Sequence, residues 1–279
     1  EAVAATRNTP ARTGGLTTET HTDRICGLLE QRTPNAPSPP RTQCVTVRHR
    51  GRYLYLTTLL ALVIASPLSA SVAVYVGKGL TRDGSVILAG FGDEPSSHWL
   101  VIEPRRNHPA GATVRVGADA SGGYGGIGLP GELIGIPQVA QTFAYISMNY
   151  SHFAGFPAPL TNGGMNEHGV AVRDVALFSR RDLVAMTPDP QRGPQYSDIA
   201  RLALERARTA REALDVAVEL IERHGFTTYG GNSHVFADAD EGWVLLEFAG
   251  GKGLWVARRL GPDEVRSEEH TSELQSLSH

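Results

Sequence analysis

"SVAVYVGKGLTRDGSVILAG", residues 71–90, decides how the chain is read. The run "SVAVYVGKGL" is rich in Val and alternates in character, the pattern of a strand with one buried face. "TRDG" follows, with Asp83-Gly84 supplying the backbone freedom of a tight turn. "SVILAG" returns as a second strand. A β-hairpin therefore opens the folded region.

Upstream of Ser71 the character changes. Val47 to Ala70 reads "VRHRGRYLYLTTLLALVIASPLSA". Arg48, Arg50 and Arg52 precede an apolar core of 13 residues, Tyr53 to Ala65, and then the small residues Ser66, Pro67, Ser69 and Ala70. That order is the order of a secretory signal peptide over residues 47–70, cut before Ser71. The core is short of the roughly 20 apolar residues of a membrane span. The expected location is secreted or periplasmic, with membrane attachment only if the segment stays uncleaved. Residues 1–46 are rich in Thr, Pro, Arg and Gly and read as disordered or as a non-native upstream segment. Residues 266–279 contain "RSEEHTSELQS", which resembles a translated sequencing adapter and reads as an artefactual tail. One domain, 71–265, is left.

Composition narrows the function. The chain is 41% hydrophobic with a formal net charge of -3, which gives no reason to expect nucleic acid. Its two cysteines, Cys26 and Cys44, both precede the hairpin. The folded region therefore has no disulfide, thiolate zinc site or cysteine nucleophile.

Downstream, "HWLVIEP", "ATVRVGA" and "TFAYISM" read as strands, and "NGGMNEHGVAVRDVALFS" as a Gly/Asn turn entering a long strand. "SDIARLALERAR" and "AREALDVAVELIERHG" then carry apolar residues at helical spacing. Ser197 is placed to cap the first helix, Thr209 with Glu212 forms a capping box for the second, and Gly225 ends it. "NSHVFADAD", "GWVLLEFAG" and "GLWVARRL" return to strands, with turns at Asp240-Glu241-Gly242 and Gly250-Gly251. Strands, a helix pair, then strands is the order of a layered α+β domain.

Several motifs carry little chemistry. Gly123, Gly125 and Gly128 match G-x-G-x-x-G, but Pro130 and Gly131 follow where a dinucleotide site needs a helix. "DADEG", residues 238–242, lacks the later ligands of a calcium loop and reads as a hairpin turn. His98, His108, His152, His168 and His234 are scattered, with no zincin spacing. No G-x-S-x-G elbow is present. One arrangement needs no histidine: a nucleophile at the first residue of a mature chain, with its own α-amine as base. That amine titrates near 7.7–8.0 when unperturbed, so about half of it is free base at mildly alkaline pH. Cleavage after Ala70 would put Ser71 there. On the residues alone, the favoured reading of Ser71 is the small residue that follows a signal cut.

Taken together, "VYVGKGLTRDGSVILAGFGDE", "YISMNYSHFAGFPAPLTNGGMNEHGVAV", "RTAREALDVAVELIERHGF" and "GGNSHVFADADEGWVLLEFAGGKGLWVARRL" resemble the secernin-type dipeptidases. These are cysteine peptidases of the N-terminal nucleophile hydrolase superfamily. The resemblance runs from about Ser71 to Val265. It implies a four-layer αββα sandwich, incomplete here because the family's chain continues further. It implies hydrolysis of short peptides, chiefly dipeptides, no metal or organic cofactor, and assembly into homo-oligomers.

The resemblance puts Ser71 where the family has its nucleophilic Cys. In "GFGDE", Phe91 and Gly92 stand where the family carries an Arg and an Asn, while Asp93 and Glu94 keep the acidic character, Glu94 taking the site position. Asn166 in "NEHG" matches an asparagine that donates to the oxyanion, a turn residue being the other reading. Asn232 in "GGNSH" matches a further polar site residue. Two functions follow: an exported dipeptidase using Ser71, or a catalytically inactive relative that binds or scaffolds.

Overall fold

The computed structural model describes residues 70–92, 98–124, 127–128, 130–150, 155–251 and 253–271. The upstream segment 1–46, the signal segment up to Ser69, Glu94, and residues 272–279 lie outside the described residues. Ten strands and three helices carry the architecture. In chain order they are β1 Ala70–Val76, β2 Ile87–Phe91, β3 His98–Glu103, β4 Tyr145–Tyr150, β5 Thr161–Asn166 and β6 Ala171–Ala176. Then come α1 Arg181–Ala185, α2 Tyr196–Arg206, α3 Ala210–His224, β7 Gly231–Ala237, β8 Gly242–Phe248, β9 Trp255–Leu260 and β10 Val265–Thr271. Shorter strands lie between β3 and β4. Thr113–Val116 is the strand expected in "ATVRVGA"; its partner Ile134–Pro137 and two residue pairs inside the glycine-rich loop were missed in the sequence.

The expected hairpin forms as β1 and β2, with Val72 opposite Phe91 and Val76 opposite Ile87. Strands β3 to β9 make a seven-stranded sheet in chain order, each strand antiparallel to the next. The helices are inserted between β6 and β7 and fold back over one face. Val172, Phe236 and Leu245 of the sheet pack there against Ile199, Ala203 and Leu204 of α2 and Ala213, Ala217 and Ile221 of α3. Alanines along both helices let the backbones come close. Each large apolar side chain removed from water contributes about 1.5–3 kcal/mol.

The opposite face of the seven-stranded sheet meets β1 and β2. Ala73 and Tyr75 pack on Val175, Val235, Ala237, Val244 and Leu260. Gly242 is required there: a Cβ on it would stand 2.5 Å from the Tyr75 ring. The described residues thus form three layers: helix pair, seven-stranded sheet, three-stranded sheet. A second helical layer is not among them. The outward face of the three-stranded sheet carries Ile87 and Phe91, 46% and 59% exposed.

Local expectations fared unevenly. Thr209 Oγ1 accepts from Glu212 N at 3.1 Å, and Gly225 ends α3 at φ 87°, as the sequence indicates. Ser197 does not cap α2. Gln195 does, its side chain accepting from Ser197 N at 2.7 Å, and Ser197 Oγ instead accepts from Thr161 N at 2.6 Å. Asn162-Gly163-Gly164 is strand rather than turn; the turn is at Glu167–Gly169. The sequence reading ended the folded region at Val265, whereas β10 continues to Thr271 and pairs with β1 along its length, Ala70 opposite Thr271. The physical reason is that β1 has a second edge, and an extended segment satisfies its backbone groups.

Candidate active site

Ser71 lies near the start of β1, half-buried. Side chains alternate along a strand, so Ser71 shares the inward face with Ala73 and Tyr75, each 1% exposed. It therefore faces the space between the two sheets. Ala70 precedes it in the same strand, so its nitrogen is a peptide amide in this chain. The amine base expected for it exists only after cleavage.

Two of the other expected site residues, Asn166 and Asn232, do not join Ser71. Glu94 lies outside the described residues. Asn166, 5% exposed, is fully used by the fold. Its Nδ2 donates to the carbonyls of Leu204 at 3.0 Å and Ala207 at 2.7 Å, at the end of α2. Its Oδ1 accepts from His168 N at 3.0 Å and Val170 N at 3.1 Å, closing the β5–β6 turn. Two donors and two acceptances exhaust what the side chain offers. The turn reading is the one the geometry gives, and the oxyanion role is corrected accordingly.

Asn232 is also on the wrong face. Residues 232, 234 and 236 alternate together, and Phe236 belongs to the helix-side core. Asn232 is completely buried there, its Oδ1 accepting from Tyr229 Oη at 3.3 Å. Beside it His234 Nδ1 stands 2.6 Å from Glu247 Oε1, both side chains at 0% exposure. His234 Nε2 lies 3.0 Å from the Tyr196 carbonyl, which can only accept. Nε2 therefore carries a proton, and a second one sits on the His234–Glu247 line. Burial pushes the His234 imidazole down, but the charge and hydrogen bond of Glu247 outweigh it, so the net direction is up. This network is structural, separated from Ser71 by the thickness of the sheet.

What does meet Ser71's face is Arg173 of β6. It shares that face with Val175, which packs in the inter-sheet core. Its guanidinium lies against Gly90 of β2, where a Cβ would stand 2.3 Å from Nε and 3.0 Å from Nη2. Gly90 pairs with Ala73, the next inward-facing residue after Ser71. Arg173 Nη1 donates to Asn162 Oδ1 at 3.0 Å, and Nε is buried with no hydrogen-bond partner. Sequence reasoning passed over Arg173 and Asn162. The available signal was a charged residue inside the apolar strand "GVAVRDVAL".

A cleft of about 260 Å³ lies elsewhere, lined by Glu103, Arg106, His108, Tyr145, Arg201 and Glu205 among others. Glu103 pairs with Tyr145, whose ring belongs to the helix-side core, so the cleft opens away from Ser71's face. Burial raises the Tyr145 hydroxyl above its ordinary value, with the Glu205 charge adding to it. Among the described residues no group of three or more His, Cys, Asp or Glu side chains is arranged to hold a metal ion. No helix among them is long and apolar enough to cross a membrane.

A family model described as peptidase family C69 matches residues 70–270. The penicillin V acylase structure from Agrobacterium tumefaciens is similar at 18% identity and a TM-score of 0.35, covering 70% of this chain and 51% of that one. A mutant conjugated bile acid hydrolase from Clostridium perfringens is similar at 13% identity and a TM-score of 0.40, covering 70% and 52%. The chain spans about half the length of both.

Proposed function

Because the chain belongs to peptidase family C69, which includes the secernin-type dipeptidases of the N-terminal nucleophile hydrolase superfamily, we propose that it is an exported amide hydrolase of short peptides, chiefly dipeptides, with Ser71 as nucleophile. The observation that carries this reading is the position of Ser71. It begins the inward-facing series of β1, directly after the small-residue stretch Ser66–Ala70. Cleavage there frees its amine in the secreted or periplasmic compartment. The neutral amine takes the Ser71 Oγ proton as Oγ attacks the amide carbonyl. The C–N bond breaks, the leaving amine takes that proton, and water then hydrolyses the ester. A hydroxyl is less acidic than the thiol the family uses, so the reaction depends more on that base. The apolar outward face of β1 and β2 is suited to the second helical layer of a four-layer sandwich, supplied by further chain.

The inactive, binding reading is favoured by one observation. Phe91, at the position of the family's arginine, is 59% exposed on the outward face and cannot serve Ser71. N-terminal sequencing of exported protein, with dipeptide hydrolysis by wild type, Ser71→Ala and Ser71→Cys, separates the two. The enzyme reading expects a chain starting at Ser71, activity lost in the Ala variant and retained or raised in the Cys variant. An intact start, or no hydrolysis by wild type and Cys variant alike, leaves the binding reading.

A further inference from the structure

We propose that the cleft lined by β3, β4 and α2 is a second binding site, built for a free α-amino acid whose ammonium and carboxylate are held side by side by Glu103, Tyr145 and Arg106. It opens away from Ser71's face and does not depend on Ser71 as nucleophile.

Size and charge set the ligand class. The cleft holds about 260 Å³, below the roughly 300 Å³ at which pockets for drug-sized ligands begin, so its ligand is small. Its charged lining is balanced, Arg106 and Arg201 against Glu103 and Glu205. A ligand with only negative charge would meet the two carboxylates, and one with only positive charge the two guanidiniums. A ligand carrying both charges finds a partner for each. The inner pair is already satisfied within the protein. Glu205 Oε1 accepts from Arg201 Nη1 at 3.3 Å, and Glu205 Oε2 accepts from Gln138 Nε2 at 3.1 Å.

The outer groups are the ones left open. Tyr145 stands directly opposite Glu103 across β3 and β4, so both side chains leave the sheet on one face, their Cβ atoms about 4.5–5.5 Å apart. Tyr145 is 6% exposed, and its hydroxyl bonds to no described residue, which is costly unless a ligand supplies the partner. The charges of Glu205, Arg201, Glu103 and Arg106 all act on that hydroxyl, which puts it among the charged groups of the cleft. Burial raises it above its ordinary value, so at neutral pH it keeps its proton and donates. Glu103 Oε2 accepts from Arg106 Nη2 at 2.9 Å, while Glu103 Oε1 accepts from no described residue. Arg106 Nε and Nη1 likewise donate to no described residue. Two donors for a carboxylate, Tyr145 Oη and Arg106, thus lie beside an acceptor for an ammonium, Glu103 Oε1. An α-amino acid carries those two groups on one carbon.

The test is calorimetry on the full chain with L-alanine, L-serine and L-glutamine, and with acetate and ethylamine as probes that carry one charge each. At least one amino acid is expected to bind saturably, with a Kd of about 1 mM or tighter and about tenfold below that of either single-charge probe. Tyr145→Phe and Arg106→Gln should each weaken that binding about tenfold, since each removes a donor to the carboxylate. The Arg106 side chain is 59% exposed, so its variant serves if Tyr145→Phe does not fold. Ser71→Ala should leave the affinity unchanged. Saturable binding of none of the three amino acids overturns the site. So does equal affinity in wild type and both cleft variants, or loss of binding in Ser71→Ala, which would move the ligand to the other face of the sheet. Acetate or ethylamine binding as tightly as the amino acids overturns the assignment of a ligand with paired charges.

Discussion

His234 Nδ1 and Glu247 Oε1 stand 2.6 Å apart beneath the helix layer, and neither side chain reaches solvent. The facing groups are Asn232, the Tyr196 carbonyl and the Asp174 charge. Net, the imidazole is held above its ordinary value, burial being outweighed by Glu247. In the unfolded chain it titrates near 6.5. The stability it contributes is thus fully present below that pH and is lost as pH rises through the higher folded value. Thermal melts of wild type and a His234→Gln/Glu247→Gln double variant should differ most below about pH 6.5 and converge in alkali. A difference independent of pH would remove the linkage.

Asn166 makes a prediction against the role that resemblance suggested. Asn166→Ala leaves the carbonyls of Leu204 and Ala207 and the amides of His168 and Val170 without their partner. A cost of about 2–3 kcal/mol is expected in chemical denaturation, in the range for buried unsatisfied groups. Activity per folded molecule should stay within about twofold, whereas loss of an oxyanion donor costs roughly 100-fold or more. A stable variant with collapsed kcat would restore the catalytic role.

Arg201 bridges Asp198 at 3.1 Å and Glu205 at 3.3 Å, its side chain 5% exposed. Asp198 also accepts from Gly117 N at 2.7 Å, tying α2 to the loop after Thr113–Val116. Arg201→Gln leaves two carboxylates buried without their cation. Breaking such a pair costs about 3–5 kcal/mol, so this variant should be among the most destabilised in a denaturant series. An effect under about 1 kcal/mol would mean the network is better hydrated than its burial indicates.

Gly242→Ala drives a methyl toward Tyr75, whose ring cannot easily retreat. Its hydroxyl donates to the Gly261 carbonyl at 3.2 Å, and the ring is 1% exposed. About 1–3 kcal/mol is expected from overpacking. Adding Tyr75→Leu should recover part of it in a double-mutant cycle, and strict additivity would show that the two residues do not meet.

Much of the architecture was legible because it is written in local periods. The opening hairpin, the two helices, the Thr209 cap and the return to strands at "NSHVFADAD" follow from alternation, helical spacing and capping chemistry within a few residues. What was misread depended on distant partners. Ser197 looks like a cap until Thr161 takes its hydroxyl. Asn162-Gly163-Gly164 looks like a turn until flanking strands pair with it. Asn166 looks available until the end of α2 occupies it.

By itself the sequence determined the α+β class, the kinship with peptidase family C69 and the place of Ser71 at the head of a strand, since each depends on order along the chain. Only the tertiary structure decided which faces those residues share. It put Asn166 and Asn232 on the helix side, away from Ser71, and brought Arg173 against Gly90 although 82 positions separate them. Sidedness depends on sheet pairing and on which face each layer covers, and no local pattern encodes that.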